Sequence, residues 1–242
     1  MQIKNLIYIS PLGRCLFIQF SICILQFAFC NISPPCLHAT PLNIITHGPR
    51  THATVALTFD DGPNPEKTPK LLKLLDTLQV KATFFVVGTE ALKYPELIQR
   101  MIQQGHELAN HTYDHQRLDA LDDDQVKQEI YGGKQVVDQL NGQPVKYFRP
   151  PGGRYNLGVL ETLSSANEAS VHWTINGSDV ELKAQAADEA CDHLIKRIQA
   201  GDIVLLHNAP LATLAMLPRL VEGLHQKGLG CVTVGALLAS PH

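Results

Sequence analysis

The chain has 242 residues, with 20 Lys+Arg against 23 Asp+Glu and a net charge of −3. Its 45% hydrophobic and 18% charged residues exclude a disordered, collagen-like or coiled-coil chain. A balance that is not basic gives no electrostatic support to a nucleic-acid partner.

The N-terminus departs from this average. Cys15 to Leu37 carries no Lys, Arg, Asp or Glu and follows Lys4 and Arg14. A basic start before an apolar run reads as a secretory signal peptide, or as an N-terminal membrane anchor if it is retained. Gln19, Ser21 and Gln26 dilute the run and favour cleavage. Residues 1–40 are therefore expected to be a leader, 41–51 a short linker and 52–242 the folded domain. The expected location is exported: periplasmic, extracellular or associated with the cell envelope. Membrane contact is expected only with the leader retained. Loss of Lys4 and Arg14 shifts the net charge to about −5. It also leaves Cys191 and Cys231, equally readable as a pair or as buried thiols.

From Thr54 onward, apolar runs alternate with helical spacing. Val55–Phe59 reads as a buried strand ending in two acids, and Pro69–Leu78 as a helix. Ala82–Val87 is a strand, Pro95–Gln103 a helix and Glu107–Ala109 a short strand. Asp122–Leu140 is the longest helix, with Asp122 to Asp124 as charges at its N-terminus. Lys146–Phe148 is a strand, Leu157–Ala166 a helix, and Ser170–Ile175 a strand running on to Asp179. Ala187–Gln199 is helical, Ile203–Leu206 a buried strand, Leu211–Gln226 a helix and Cys231–Val234 the last strand. About seven strand–helix alternations predict parallel strands with crossover helices in one domain. A closed or partly closed barrel and an open doubly wound sheet both fit this pattern.

Polar residues collect at the predicted strand C-termini, the rim where α/β folds bind ligands. Asp60 and Asp61 end the first strand, and neighbouring side chains on an extended backbone point to opposite sides. Two adjacent acids can therefore do different jobs, one binding a metal and the other acting as a base. His111 and His115, at i and i+4 in a helix or tight turn, would put both imidazoles on one side. With one carboxylate they form a two-His, one-carboxylate set, which leaves coordination positions open for water and substrate. His106 and His172 read as structural, and His225 as solvated. Asn110-His111-Thr112 also reads as an N-glycosylation sequon, which the metal reading of His111 outweighs.

Thr58-Phe59-Asp60-Asp61-Gly62-Pro63, His111-Thr112-Tyr113-Asp114-His115, Arg149-Pro150-Pro151-Gly152-Gly153 and Leu205-Leu206-His207 together resemble the polysaccharide deacetylases. This is the NodB-homology domain of carbohydrate esterase family 4, and the likeness covers roughly residues 52 to 240. It implies an α/β fold, a distorted, partly closed (β/α)7 barrel. It implies a metal-dependent hydrolase that removes N-acetyl groups from GlcNAc-containing polysaccharide: peptidoglycan, a chitin-like polymer or an exopolysaccharide. By similarity Asp61, His111 and His115 hold one divalent metal, usually zinc, with cobalt or nickel as alternatives. Asp60 would be the base on the attacking water and His207 the acid on the leaving amine. Asp179 would pair with His207, Arg149 would orient Asp60, and the Gly152 N–H would meet the oxyanion. The chain departs from the family at Gly152, usually aromatic, and at Asn176 and Val180, usually Asp and Trp. The alternatives are an O-acetyl esterase on xylan-like polymer and a catalytically weakened glycan-binding relative.

Overall fold

The computed structural model describes residues 43–183, 186–208 and 210–239, so the expected leader lies outside the described residues. Among the described residues no helix is long and apolar enough to cross a membrane.

The sheet has nine strands: β1 (Ile44–Ile45), β2 (Thr54–Gly62), β3 (Thr83–Val86), β4 (Glu107–Asn110), β5 (Tyr147–Phe148), β6 (Ala169–Val171), β7 (Ile175–Asn176), β8 (Ile203–His207) and β9 (Gly230–Val232). Their order is β1-β6-β5-β4-β3-β2-β8-β7, and β9 adds to the lower end of β2. Every strand pairing is parallel. The crossovers are helices α1 (Thr68–Thr77), α2 (Gly88–Lys93), α3 (Pro95–Gln103), α4 (Asp123–Asn141), α5 (Leu157–Ala166), α6 (Ala187–Arg197) and α7 (Leu211–Gln226), and α8 (Val234–Ala239) follows β9. Parallel neighbours need such crossovers, because a hairpin cannot reverse the chain twice.

The sheet curls into a partly closed barrel, which settles the choice that periodicity left open. Ser170–Ile175, expected as one strand, is divided between two strands near opposite ends of the sheet. β6 pairs with β5 and β1, whereas β7 pairs with β8. The residues between them cross the seam. The His172 N–H donates to Ile45 O on β1, and the Thr174 N–H donates to Ile203 O on β8. Val171, Trp173 and Ile175 alternate with polar residues straight through the crossing, so the pattern could not reveal the break.

Residues 43–51, within the stretch expected as a linker, also join the fold. β1 pairs with β6, His47 bridges to Asp202, and Arg50 forms an ion pair with Asp202 at 3.0 Å. Two isoleucines are too short a run to signal a strand. The helices α2 and α8 were not foreseen either, because one turn and a half carries little periodicity.

Alternation along β2 sorts its side chains. Val55, Leu57 and Phe59 pack under the helices with Leu71, Leu72 and Met216. Ala56 faces the other way, with Phe85, Ala109, Val171, Ile203 and the α8 residues Val234 and Leu237. Thr58 and Asp60 share the parity of Ala56 and so face the concave side. A third cluster joins α4, α5 and β5 through Val126, Ile130, Phe148 and Val159. Asp122 caps α4 as a capping box, accepting the Gln125 N–H while Gln125 accepts the Asp122 N–H. This fits the Asp122–Asp124 run as a helix start. Cys191 and Cys231 are free thiols, which decides between the two cysteine readings. Burial pushes them up to about 11 and about 12.

Phe84 has no exposure and stacks on Phe59 with centroids 5.3 Å apart. Phe84→Ala is expected to cost about 3–5 kcal/mol of stability, read as a lower urea midpoint with an unchanged slope.

Candidate active site

The rim residues converge. Asp60 is buried, with Oδ1 accepting from Arg149 Nη1 at 2.7 Å and Oδ2 lying 3.9 Å from His111 Nε2. Asp61 Oδ1 lies 3.3 Å from His111 Nε2 and 3.1 Å from His115 Nε2. Strict alternation would have sent Asp61 away from Asp60. The register of β2 against β3 instead shifts between Phe59 and Gly62, and Asp61 takes φ 69°. Such an irregularity re-aims a side chain, so both carboxylates reach the same imidazole.

Of the two settings expected for the histidines, a helix or a tight turn, the helix is not the one formed. Residues 111–115 form an irregular loop after β4, with Thr112 at φ 68° and His115 at φ 59°. The ring centroids are 5.0 Å apart. His111 Nδ1 lies 2.7 Å from Arg149 O. A carbonyl can only accept, so Nδ1 carries a proton and Nε2 is the ring nitrogen turned to Asp61. The buried Asn110 side chain accepts the Thr112 N–H at 3.0 Å, and Thr112 Oγ1 accepts the His115 N–H at 2.9 Å. Asn110 also donates to Ile130 O and to Glu168. Its amide is therefore committed inside the fold, which disposes of the sequon.

Arg149 has no solvent exposure. It donates to Asp60, Thr58 Oγ1, Val171 O and His172 O over 2.7–3.0 Å. Its guanidinium carbon lies 3.9 Å from the Phe85 ring centroid and 5.6 Å from that of Trp173. Burial lowers its pKa, while the charge and hydrogen bond of Asp60 oppose that fall.

His207 ends β8 directly opposite Asp60 on β2. Its Nδ1 lies 2.8 Å from Oδ1 of the fully buried Asp179, whose Oδ2 accepts the His207 N–H at 2.7 Å. Thr213 donates to the same Oδ2. Burial disfavours the imidazolium, but the bond to Asp179 and the charges of Asp179, Asp60 and Asp61 outweigh it and raise the pKa. At Asp61 burial likewise opposes the charge, and the bonds to His111 and His115 prevail, holding the carboxyl far below the carboxylate range. Asp61 raises the pKa of His115.

Among the described residues, Asp61, His111 and His115 are the group whose ligand atoms all lie within 4.8 Å of one another. Two imidazoles and a carboxylate are the donor set of hydrolytic zinc sites. The His111 proton held away by Arg149 O leaves the correct nitrogen for a cation, so these residues fit a divalent metal.

Gly152 follows Arg149 in a turn at φ 65°, where an added Cβ would meet nothing within 4 Å. Trp173 packs on Gly153, Asn176 Oδ1 accepts the Ser178 N–H, and Val180 is exposed. Asp179 itself lies beyond β7, in the loop that follows. His106 accepts the Ala82 N–H, and burial takes its pKa to about 4, a structural histidine as expected. His172 packs on Tyr155, and His225 is exposed on α7. The supporting roles of Thr58, Asn110 and Thr213 were not foreseen. Thr58 opens one quoted motif and Asn110 precedes another, so both could have been suspected, whereas Thr213 carries no signal in the chain.

A curled parallel sheet with carboxylates and imidazoles gathered at its C-terminal rim is the framework of an α/β hydrolytic enzyme. Residues 47–170 match the family model described as polysaccharide deacetylase. A Bacillus cereus protein named peptidoglycan-N-acetylglucosamine deacetylase is 34% identical over 197 residues, covering 80% of this chain and 92% of its own. A Sinorhizobium fredii chitooligosaccharide deacetylase is 36% identical over 189 residues, covering 72% and 87%. The crystal structure of a peptidoglycan N-acetylglucosamine deacetylase with a bound N-oxidanyl-benzamide superposes with a TM-score of 0.78. It is 31% identical and covers 82% of this chain and 94% of its own. The chain belongs to the polysaccharide deacetylase family, hydrolases of the NodB-homology type.

Arg149→Ala would leave Asp60 buried without its counter-charge, and a loss of about 3–5 kcal/mol is expected by chemical denaturation. The His207–Asp179 pair sets a pH dependence. His207 has a folded pKa above its ordinary 6.5, so its stabilisation is fully present below 6.5 and is lost as pH rises through the raised value. NMR titration of metal-free protein should show this raised pKa. Asp179→Asn, which leaves only burial and more distant charges, should bring it down.

Proposed function

We propose that the protein is a metal-dependent N-deacetylase of GlcNAc-containing polysaccharide, with peptidoglycan or a chitin-like polymer as substrate, working outside the cytoplasm. The observation that carries this reading is the meeting of a three-ligand cluster, a buried carboxylate and a carboxylate-backed imidazole at one rim. The names of the relatives favour an amide over an ester bond. The uncharged run from Cys15 to Leu37 favours export, where such polymers lie.

Asp61, His111 and His115 hold the cation, with zinc preferred over cobalt or nickel. When bound, it supplies Lewis acidity, which lowers the pKa of water and polarises the acetyl carbonyl. Asp60 takes the proton of the attacking water. Its Oδ1 is fixed by Arg149, so Oδ2 faces the cluster. The oxyanion that develops on the acetyl group meets the Gly152 N–H.

His207 completes the cleavage. An amine leaves poorly until it is protonated, and Asp179 engages Nδ1, so Nε2 is the nitrogen that delivers the proton. The raised pKa keeps that proton available near neutrality. Base and acid lie side by side on paired strands, so one acetyl group held at this rim is within reach of both.

The test is acetate release by purified protein from N-acetylglucosamine oligomers and peptidoglycan, with acetylated xylan alongside. Release from the N-acetylated glycans, stopped by a chelator and cut roughly 10²–10⁴-fold by Asp60→Asn, is expected. Release from xylan alone would move the reading to an O-acetyl esterase. No release from any N-acetylated glycan by metal-loaded protein would sink it.

A further inference from the structure

We infer that Glu129, on α4, is a positioning residue that holds the His111–His115 loop in its ligating shape. This rests on the reading that Asp61, His111 and His115 bind metal. The loop has no regular hydrogen-bond ladder, and two of its residues, Thr112 and His115, are left-handed without being glycine. Such residues persist only where their surroundings over-determine them.

One set of restraints comes from within, through Asn110 and Thr112. A second comes from α2, whose Gly88 and Thr89 N–H groups donate to the Thr112 and Tyr113 carbonyls, and a third comes from Glu129. Its Oε2 accepts the Asp114 N–H at 2.9 Å, and its Oε1 accepts from Gln116 Nε2 at 3.3 Å. Glu129 is 5% exposed. A buried carboxylate needs donors, and the donors here come from the residue just before His115 and the residue just after it. Glu129 therefore clamps both sides of the second imidazole.

The helix face is shaped for the same task. One turn further along α4, a side chain at Gly133 would collide with Asn110 and the Thr112 backbone, and Gly132 lies against Tyr113. Val126 and Ile130 on the same helix fill the core, whereas Glu129 turns to the loop. Outer groups that orient metal ligands typically change affinity about tenfold to hundredfold when removed.

The experiment compares wild type with Glu129→Ala and Glu129→Gln. Zinc affinity is read by competition with a chromophoric chelator, geometry by the visible absorption of the Co(II) form, and folding by melting of chelator-treated protein. Glu129→Ala is expected to weaken zinc binding about tenfold to hundredfold and to alter the Co(II) bands. Glu129→Gln, which keeps an acceptor for the Asp114 N–H, should show a smaller loss. A folded Glu129→Ala with wild-type affinity and an unchanged Co(II) spectrum overturns the inference, whatever its melting temperature, because that is the behaviour of a fold staple. Where the alanine variant fails to fold, the glutamine variant decides by the same criterion. Wild type that binds no zinc or cobalt overturns the underlying site reading, and the inference with it.

Discussion

A guanidinium sealed from water must satisfy its N–H groups from protein acceptors, and its charge needs an opposite charge nearby. Arg149 meets both needs with Asp60 and Thr58 from β2 and the carbonyls of Val171 and His172 at the seam. Those partners come from two segments far apart in sequence. The residue therefore binds the central strand to the edge where the barrel stays open. Its own carbonyl accepts from His111 Nδ1. One buried residue thus fixes the carboxylate proposed as base and the tautomer of a proposed metal ligand. Neither can shift without disturbing the other.

Around this anchor the backbone leaves regular geometry where side chains must be redirected. Asp61, Thr112, His115 and Gly152 all take positive φ. A straight β2 would have split its two acids between the faces of the sheet, and a helical loop would have turned with a different pitch. The positive-φ residues bring three ligand atoms within 4.8 Å. The cost of these conformations is offset by buried hydrogen bonds such as that from the Thr112 N–H to Asn110.

Legibility in the sequence followed the range of the interaction. Pro95–Gln103, Leu157–Ala166 and Leu211–Gln226 were readable to the residue, because Pro or Asn starts and apolar spacing are local signals. Motif order identified the rim residues before any contact was known. The break in Ser170–Ile175 was hidden, since the alternation of Val171, Trp173 and Ile175 with polar residues runs through it unchanged. The strand at Ile44–Ile45 was hidden as well, because its evidence is a partner 126 residues away, Ser170. Thr213 could not be found because its link to Asp179 spans a crossover.

The two candidate proton carriers illustrate how one parallel sheet sets opposite tasks side by side. Asp60 and His207 are register partners on adjacent strands, so their separation is fixed by the strand spacing rather than by loop motion. Their backing groups have opposite sign: a guanidinium behind the carboxylate and a carboxylate behind the imidazole. The first favours a group without its proton and the second a group with it. A site built this way begins its cycle with an acceptor on one strand and a donor on the next, which is the division of labour that amide hydrolysis requires. Gly152, Asn176 and Val180 lie outside this pair of backed groups. Departures there leave the two backed groups and their partners in place.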